Sequence, residues 1–251
     1  MSKVERLNAI VERVNESRSV DVGQLATALG VSGATIRRDL DVLSRGGLLV
    51  RTHGGAMAND LDAELPTQVK ATLRQAEKSR IGRAAAVLVG EGAVIGMTGG
   101  TTTLELARAL AHRSGITIVT NAINIAGELL GRRGINLVVI GGVVRHSAEL
   151  VGPAAEAMLA NYHLDTVFIG VDGLTAEEGC TTYDEMEAQT DRVFLQRARR
   201  AVVLADSSKI GVVRFARITA LGAVDDVVTD RAADPAHLDA LRQAGVSVIT
   251  V

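Results

Sequence analysis

The chain has 251 residues, with 27 basic against 29 acidic side chains and a net charge of −2, which excludes a broadly basic nucleic-acid coat and confines any DNA contact to a local patch. Apolar residues make up 47% and aromatics only 2%, so a sizeable core must be built from Ala, Val, Leu and Ile. The single cysteine, Cys180, excludes an internal disulfide framework and a Cys-rich zinc site, and the length suits a small domain plus a larger one.

The opening segment MSKVERLNAIVERVNE is charged and helical, with no apolar signal region. No apolar run reaches membrane-spanning length, so the expectation is a cytoplasmic protein with no membrane partner. Val4, Leu7, Ile10, Val11 and Val14 fall on one face of this first helix. Asp21 is placed as an N-cap, with Gln24 in capping-box position, for a second helix over 22–29 that buries Leu25, Ala26 and Leu29. Gly30 ends it, Val31 fills the turn, and Ser32 caps a third helix over 33–45.

In the third helix, Ile36, Leu40 and Leu43 share the inward face at 100° per residue, while Ala34, Arg38, Asp41 and Arg45 point away. Thr35 and Arg37 lie on the flanks. A short helix packed by three aliphatics, with two adjacent arginines near its start, suits insertion into the major groove of double-stranded DNA. Arg37 and Arg38 either grip guanine edges or hold phosphates, and Thr35 can meet a base edge or a thymine methyl. The segment LLVRTHGGAM then predicts a two-stranded wing, with Arg51 and His53 near its tip beside the DNA backbone. Residues 32–57 hold four Arg and two Asp, so phosphate binding needs help from a homo-oligomer, a dimer or a tetramer. The DNA-binding set is therefore Ser32, Ala34, Thr35, Arg37, Arg38, Arg51 and His53; a plain helical bundle with solvated arginines is the blander alternative.

Polar, acidic sequence around Pro66 reads as a linker, giving domains over 1–57 and 76–251 joined by 58–75, with a helix over 68–89. From Ala93 onward short β-branched runs (AVIGM, ITIVTN, INLVVIGG, LDTVFIGVDG, AVVLAD, AVDDVVTD, VSVITV) alternate with Ala/Leu-rich helices, which predicts a mostly parallel sheet flanked by helices. The fold class is α/β: an N-terminal winged helix-turn-helix plus a larger α/β domain.

In GMTGGTTTLELARAL a strand runs into a Gly/Thr loop and then a helix. Gly99 and Gly100 permit close backbone approach, and Thr101, Thr102 and Thr103 offer hydroxyls and N–H groups at a helix start, a sound anion site. The loop lacks the GxxxxGK[ST] spacing of nucleotide-triphosphate sites. Further polar clusters fall at strand ends, where open α/β sheets hold ligands: Thr120 with Asn121, Asp172 with Gly173, and Asp206 with Lys209. Each also has an ordinary reading, turn-capping for the aspartates and a surface ammonium for Lys209. Arg145 and His146 face the pocket or a subunit interface, a plain surface role being the blander reading, Asp184 reads as an N-cap, and Cys180 as a small packing residue. His53, His112, His163 and His237 show no metal-ligand spacing; neither a metal nor another cofactor is expected.

The segment SGATIRRDLDVLSRGGLLVRTHGGA resembles the signature of the DeoR family of bacterial regulators, and TGGTTTLELARAL, IVTNAINIA, GGVVRHSAELVGP, FIGVDGL and LADSSKIG continue the likeness through nearly the whole chain. The resemblance implies a transcriptional repressor whose C-terminal domain, related in fold to ribose-5-phosphate isomerase, senses a phosphorylated sugar effector. It places Thr98 to Thr102 on that enzyme's phosphate loop, Asp172 on the first Asp of its DGAD motif and Glu185 near its general base. Thr175 stands in place of the second Asp, LTAEEG replaces the loop carrying the enzyme's Lys, and Lys209 matches a separate Lys. Proton shuttling needs a positioned base and a carbonyl-polarising group, so the implied domain binds without catalysis. Its effector set is Thr98, Gly99, Gly100, Thr101, Thr102, Thr103, Asn121, Asp172, Gly173, Glu185 and Lys209. A sugar-phosphate isomerase with an accessory N-terminal domain is the alternative.

Overall fold

A computed structural model describes residues 1, 3–45, 48–57, 64 and 66–251, so most of the expected linker's first half lies outside the described residues. The chain forms two compact units, Met1–Leu73 and Arg74–Val251.

The first unit contains α1 (Lys3–Ser17), β1 (Ser19–Asp21), α2 (Val22–Leu29), α3 (Gly33–Arg45), β2 (Val50–Arg51), β3 (Gly55–Met57) and α4 (Thr67–Thr72). Asp21 caps α2 by accepting from the backbone N–H groups of Gly23 and Gln24 at 2.6 and 3.3 Å. Gly30 closes the helix at φ 65, a left-handed conformation that disfavours a Cβ. Ser32 Oγ then accepts from Thr35 N at 3.2 Å and starts α3. Ile36, Leu40 and Leu43 are buried together with Ile10, Val11, Val14 and Leu25, each such aliphatic adding about 1.5–3 kcal/mol by leaving water. The wing has three strands rather than two, in the order β1-β3-β2. Gly55 makes this possible: a Cβ there would lie 1.8 Å from the carbonyl oxygen of Val20.

The second unit contains α5 (Gln75–Ala86), β4 (Val94–Met97), α6 (Thr101–Leu110), β5 (Ile116–Thr120), α7 (Ile123–Leu129), β6 (Ile135–Val139), β7 (Val143–Val144), β8 (Leu150–Val151) and α8 (Pro153–Leu159). It continues with β9 (Leu164–Gly170), β10 (Gly173–Thr175), β11 (Gly179–Thr182), α9 (Glu185–Arg197), β12 (Ala198–Leu204), β13 (Ala216–Thr219), β14 (Asp226–Thr229), α10 (Pro235–Gln243) and β15 (Ser247–Thr250). Seven strands form one sheet in the order β15-β14-β12-β9-β4-β5-β6, all pairs parallel. Both faces are covered, as a parallel sheet requires: Phe168 packs in one apolar layer and its neighbour Ile169 in the other. Two small antiparallel sheets, β10-β11-β13 and β7-β8, are additions that the alternating pattern did not signal.

The helix expected over 68–89 is two helices. Leu73 and Arg74 interrupt it, Arg74 taking a left-handed φ of 50. The break lets each piece serve its own core: Val69 packs on the N-terminal core, while Ile81 and Ala85 are buried in the sheet's helical layer.

Strand order decides where a ligand sits. From β4 the chain adds β5 and β6 on one side and β9, β12, β14 and β15 on the other, so it reverses between β4 and β9. The loops leaving the carboxyl ends of those two strands flank the crevice that such a reversal opens. They are the Thr98–Gly100 loop and the Val171–Gly173 loop.

Candidate functional site

On α3, Ala34, Arg37 and Arg38 are exposed, and neither arginine forms an ion pair among the described residues. Arg38 stands opposite Ile36 and Leu40, both fully buried, and Arg37 stands on the flank, so packing fixes the helix while leaving both cations open to solvent. The Thr35 hydroxyl is engaged with Ser32 Oγ at 3.0 Å, which makes both residues shapers of the helix start. Arg51 is also committed inward. It donates to Gly55 O at 2.7 Å and pairs through Nε with Asp41 at 3.1 Å, bracing the wing against α3. His53 is exposed in the wing turn. Sequence reasoning missed Asp39, which is buried and accepts from Arg6 Nε at 2.6 Å; this bond holds the Arg6 guanidinium's proton above its ordinary range. Its place three residues after Ile36, on the packed face, was the available signal.

In the larger unit, the Gly/Thr loop leads directly into α6. Gly100 sits at the helix N-cap with φ 133 and supplies no side-chain cap, so the first-turn N–H groups and the helix dipole face outward along the axis. Thr98 is structural: its N–H donates to Phe168 O at 3.1 Å and its Oγ1 accepts from Gly170 N at 3.2 Å. Thr102 and Thr103 are buried, and Thr103 Oγ1 donates back to Gly100 O at 2.9 Å; Thr101 is half-buried. At position 99 a Cβ would lie 2.2 Å from Glu149 Cγ, so a larger residue there must displace the Glu149 side chain.

Asn121 and Glu149 meet beside this loop. Asn121 Nδ2 donates to Glu149 Oε2 at 3.2 Å and to Leu150 O at 3.3 Å, which leaves its fully buried Oδ1 without a hydrogen-bond partner among the described residues. Across the crevice, Lys209 Nζ reaches Asp172 Oδ1 at 3.1 Å, bringing together two residues that lie 37 apart in sequence. Gly173 is held close to Val212 O and Thr181 Oγ1. Asp206 is buried and caps the short turn Ser207–Lys209 by accepting from Ser208 N at 3.1 Å, so it positions Lys209.

Glu185 is exposed at the start of α9, and the inward carboxylate is Glu187, two residues on. Asp184 caps the helix through Met186 N and Glu187 N, and this sets the phase that turns Glu187 inward. Glu187 accepts from Ser147 Oγ at 2.6 Å and pairs with Arg145 Nε at 3.3 Å, and Arg145 also reaches Asp184 at 3.0 Å. Asp191, one turn further along α9, is buried with Oδ1 unpartnered among the described residues. Burial, then the charges of Glu149, Glu187 and Asp172, push its carboxyl well above the usual range. Cys180 is fully buried beside it, its thiol pushed up to about 12, first by burial and then by Asp191. Glu149, Glu187 and Asp191 are thus buried carboxyl groups beside the Gly/Thr and Asp172 loops that sequence reading left out, and Arg145, left open there, turns in to pair with Glu187. The described residues contain no His/Cys/Asp/Glu cluster arranged to hold a metal ion and no helix long and apolar enough to cross a membrane.

The two units coincide with two matched family models. Residues 6–61 match a DeoR-like helix-turn-helix domain and residues 73–231 match a DeoR C-terminal sensor domain. The chain belongs to the DeoR family. Among its relatives are a candidate aga operon transcriptional repressor of Escherichia coli O157:H7, 36% identical and covering 98% of this chain and 93% of that protein. The transcriptional regulator GlpR of Haloferax volcanii is 35% identical, covering 99% of this chain and 98% of its own length. The glycerol-3-phosphate regulon repressor of Escherichia coli K12 is 29% identical over 92% of each chain. As a DeoR-family member the protein is a DNA-binding transcriptional regulator, and its C-terminal unit is a regulatory sensor domain rather than an isomerase.

Proposed function

We propose that this DeoR-family protein is a cytoplasmic repressor of sugar-metabolism genes, acting as a dimer or tetramer, whose operator affinity is set by a phosphorylated sugar. The observation that carries the reading is the uncapped start of α6 at Gly100, placed where the strand order reverses and flanked by the Asp172–Lys209 pair. A phosphate suits the α6 N–H groups. The buried acceptors Asn121 Oδ1 and Asp191 Oδ1 suit the hydroxyl donors of a sugar, because an unmet buried acceptor is costly. One relative is a repressor named for a glycerol-3-phosphate regulon, and glycerol 3-phosphate is a phosphorylated polyol.

For operator recognition, Ala34, Arg37 and Arg38 enter the major groove, His53 approaches the backbone from the wing, and Ser32, Thr35 and Arg51 hold that surface in shape. Coupling requires the effector to bind the two DNA-affinity states unequally. Arg74, the first residue of the sensor unit, donates to Ser207 Oγ at 3.0 Å on the turn that carries Lys209. Ligand contact at Lys209 therefore has a short route to the start of the sensor unit.

The test is a thermal-shift panel of sugar phosphates, followed by binding of the full chain to its own promoter fragment with each hit. One sugar phosphate is expected to raise the melting temperature and change operator affinity, and Gly99→Ala is expected to abolish that response while operator binding persists. A panel that changes neither quantity overturns the reading.

A further inference from the structure

α9 has a second working side. Its inward turn carries Glu187 and Asp191, but Arg192, Leu195 and Gln196 line a separate cavity of about 440 Å³ together with Arg217, Ile218 and Thr219. Ala220 and Ala223 complete its wall. That volume falls in the range of small-ligand sites. None of the residues assigned above to the effector or to DNA lines it.

The charge in this cavity is one-sided. Arg192 and Arg217 are its only ionisable lining residues, and neither forms an ion pair among the described residues. Arg192 Nε is buried with no hydrogen-bond acceptor among the described residues. The remaining guanidinium nitrogens, at half-buried Arg192 and exposed Arg217, carry the cavity's charge, and the planar fork of arginine matches carboxylate and phosphate oxygens. Thr219 and Gln196 add neutral polar groups, while Leu195, Ile218, Ala220 and Ala223 supply a short apolar wall.

We propose that this cavity is a second ligand site, taking a doubly charged small organic anion with a short apolar body. Arg192 and Arg217 share its charge. The ligand binds on the same helix that presents Glu187 and Asp191 to the effector pocket, so occupancy of one site can bias the other through α9. The proposal does not depend on which effector fills the pocket.

Calorimetric titration of the full chain at fixed ionic strength, with inorganic phosphate in one arm and succinate in the other, tests it. Arg192→Gln/Arg217→Gln is expected to weaken one binding event about tenfold or more, and Arg217→Lys, which keeps the charge but not the fork, to fall between the unaltered chain and Arg217→Gln. Gly99→Ala, which blocks the α6 loop, should leave that event intact. The single change Arg217→Gln, at an exposed position, gives the same reading if the double variant does not fold. Stronger binding of phosphate than succinate identifies the ligand as a phosphate ester, and the reverse as a dicarboxylate. The proposal is overturned if the arginine variants bind both anions like the unaltered chain. It is also overturned if those changes alter oligomeric mass and leave anion binding unchanged, which makes the cavity a subunit contact. Loss of all phosphate binding in Gly99→Ala overturns it too, while leaving the effector reading standing.

Discussion

The face of α3 and the crevice above β4 and β9 solve opposite problems. On α3 the side chains proposed to read DNA stand in solvent, and the structure beneath them is apolar: Arg37 and Arg38 are exposed while Ile36 and Leu40 are fully buried. In the crevice the groups proposed to meet the effector are buried or half-buried and mostly already engaged, as in Lys209 with Asp172, Glu187 with Arg145, and Asn121 with Glu149. A surface that meets a polyanion needs available charge. A pocket that recognises a small polar molecule needs fixed charge, because unfixed groups must be ordered at binding. The difference teaches that the first site tolerates the loss of one contact, whereas the second is a network in which one change moves several partners.

The largest expected effect removes the support beneath the DNA face. Leu40→Ala leaves a cavity among Ile10, Leu25 and Ile36 and should cost about 2–5 kcal/mol, read as an earlier chemical unfolding transition of the N-terminal unit with the sensor's transition unmoved. Next, Arg37→Ala/Arg38→Ala should weaken operator binding about 100-fold while leaving melting temperature and effector binding unchanged. If a single change lowers the salt dependence uniformly across DNA sequences, that arginine holds phosphate rather than a base.

The pocket's network is probed through Asp191. Its folded-state proton affinity is raised above that of the unfolded chain, so its contribution to stability is full below the unfolded value of about 3.9 and is lost as pH rises through the folded value. The melting temperature should therefore fall across that window, and Asp191→Asn, neutral and of similar shape, should flatten the fall. An unchanged profile removes Asp191 as its source. The smallest effect is chemical. With its thiol at about 12, Cys180 exposes roughly one thiolate in ten thousand at pH 8, so a thiol reagent should label the native chain only as fast as it unfolds.

The two sides of α3 were legible because a helix repeats: Ile36, Leu40 and Leu43 announce the buried side and thereby the exposed one. The parallel sheet was equally legible from its β-branched runs. The wing's extra strand was not, since Ser19–Asp21 is three residues and carries no period. The split at Arg74 was hidden because both halves are helical. The pocket was legible only where glycines or an aspartate marked a strand end. Glu149 lies 28 residues from Asn121, and along the sequence it looks like any charged loop residue. Glu187 was missed in favour of Glu185 because the phase of α9 depends on Asp184 being the cap, and a shift of two residues turns a side chain from solvent to core.

The hydrogen bonds of Thr98 to β9 have a further consequence. They stitch the carboxyl ends of β4 and β9 together at Phe168 and Gly170, so the loop proposed to hold phosphate is tied to the sheet itself. The residues that would read the rest of the ligand, Asn121, Glu149 and Asp191, come from other segments of the chain. On the proposed reading, one end of the pocket is anchored by the sheet and the other by the Asn121–Glu149 network. A designer seeking a repressor for a different phosphorylated compound should keep the anchored loop and replace that network as a unit rather than one residue at a time.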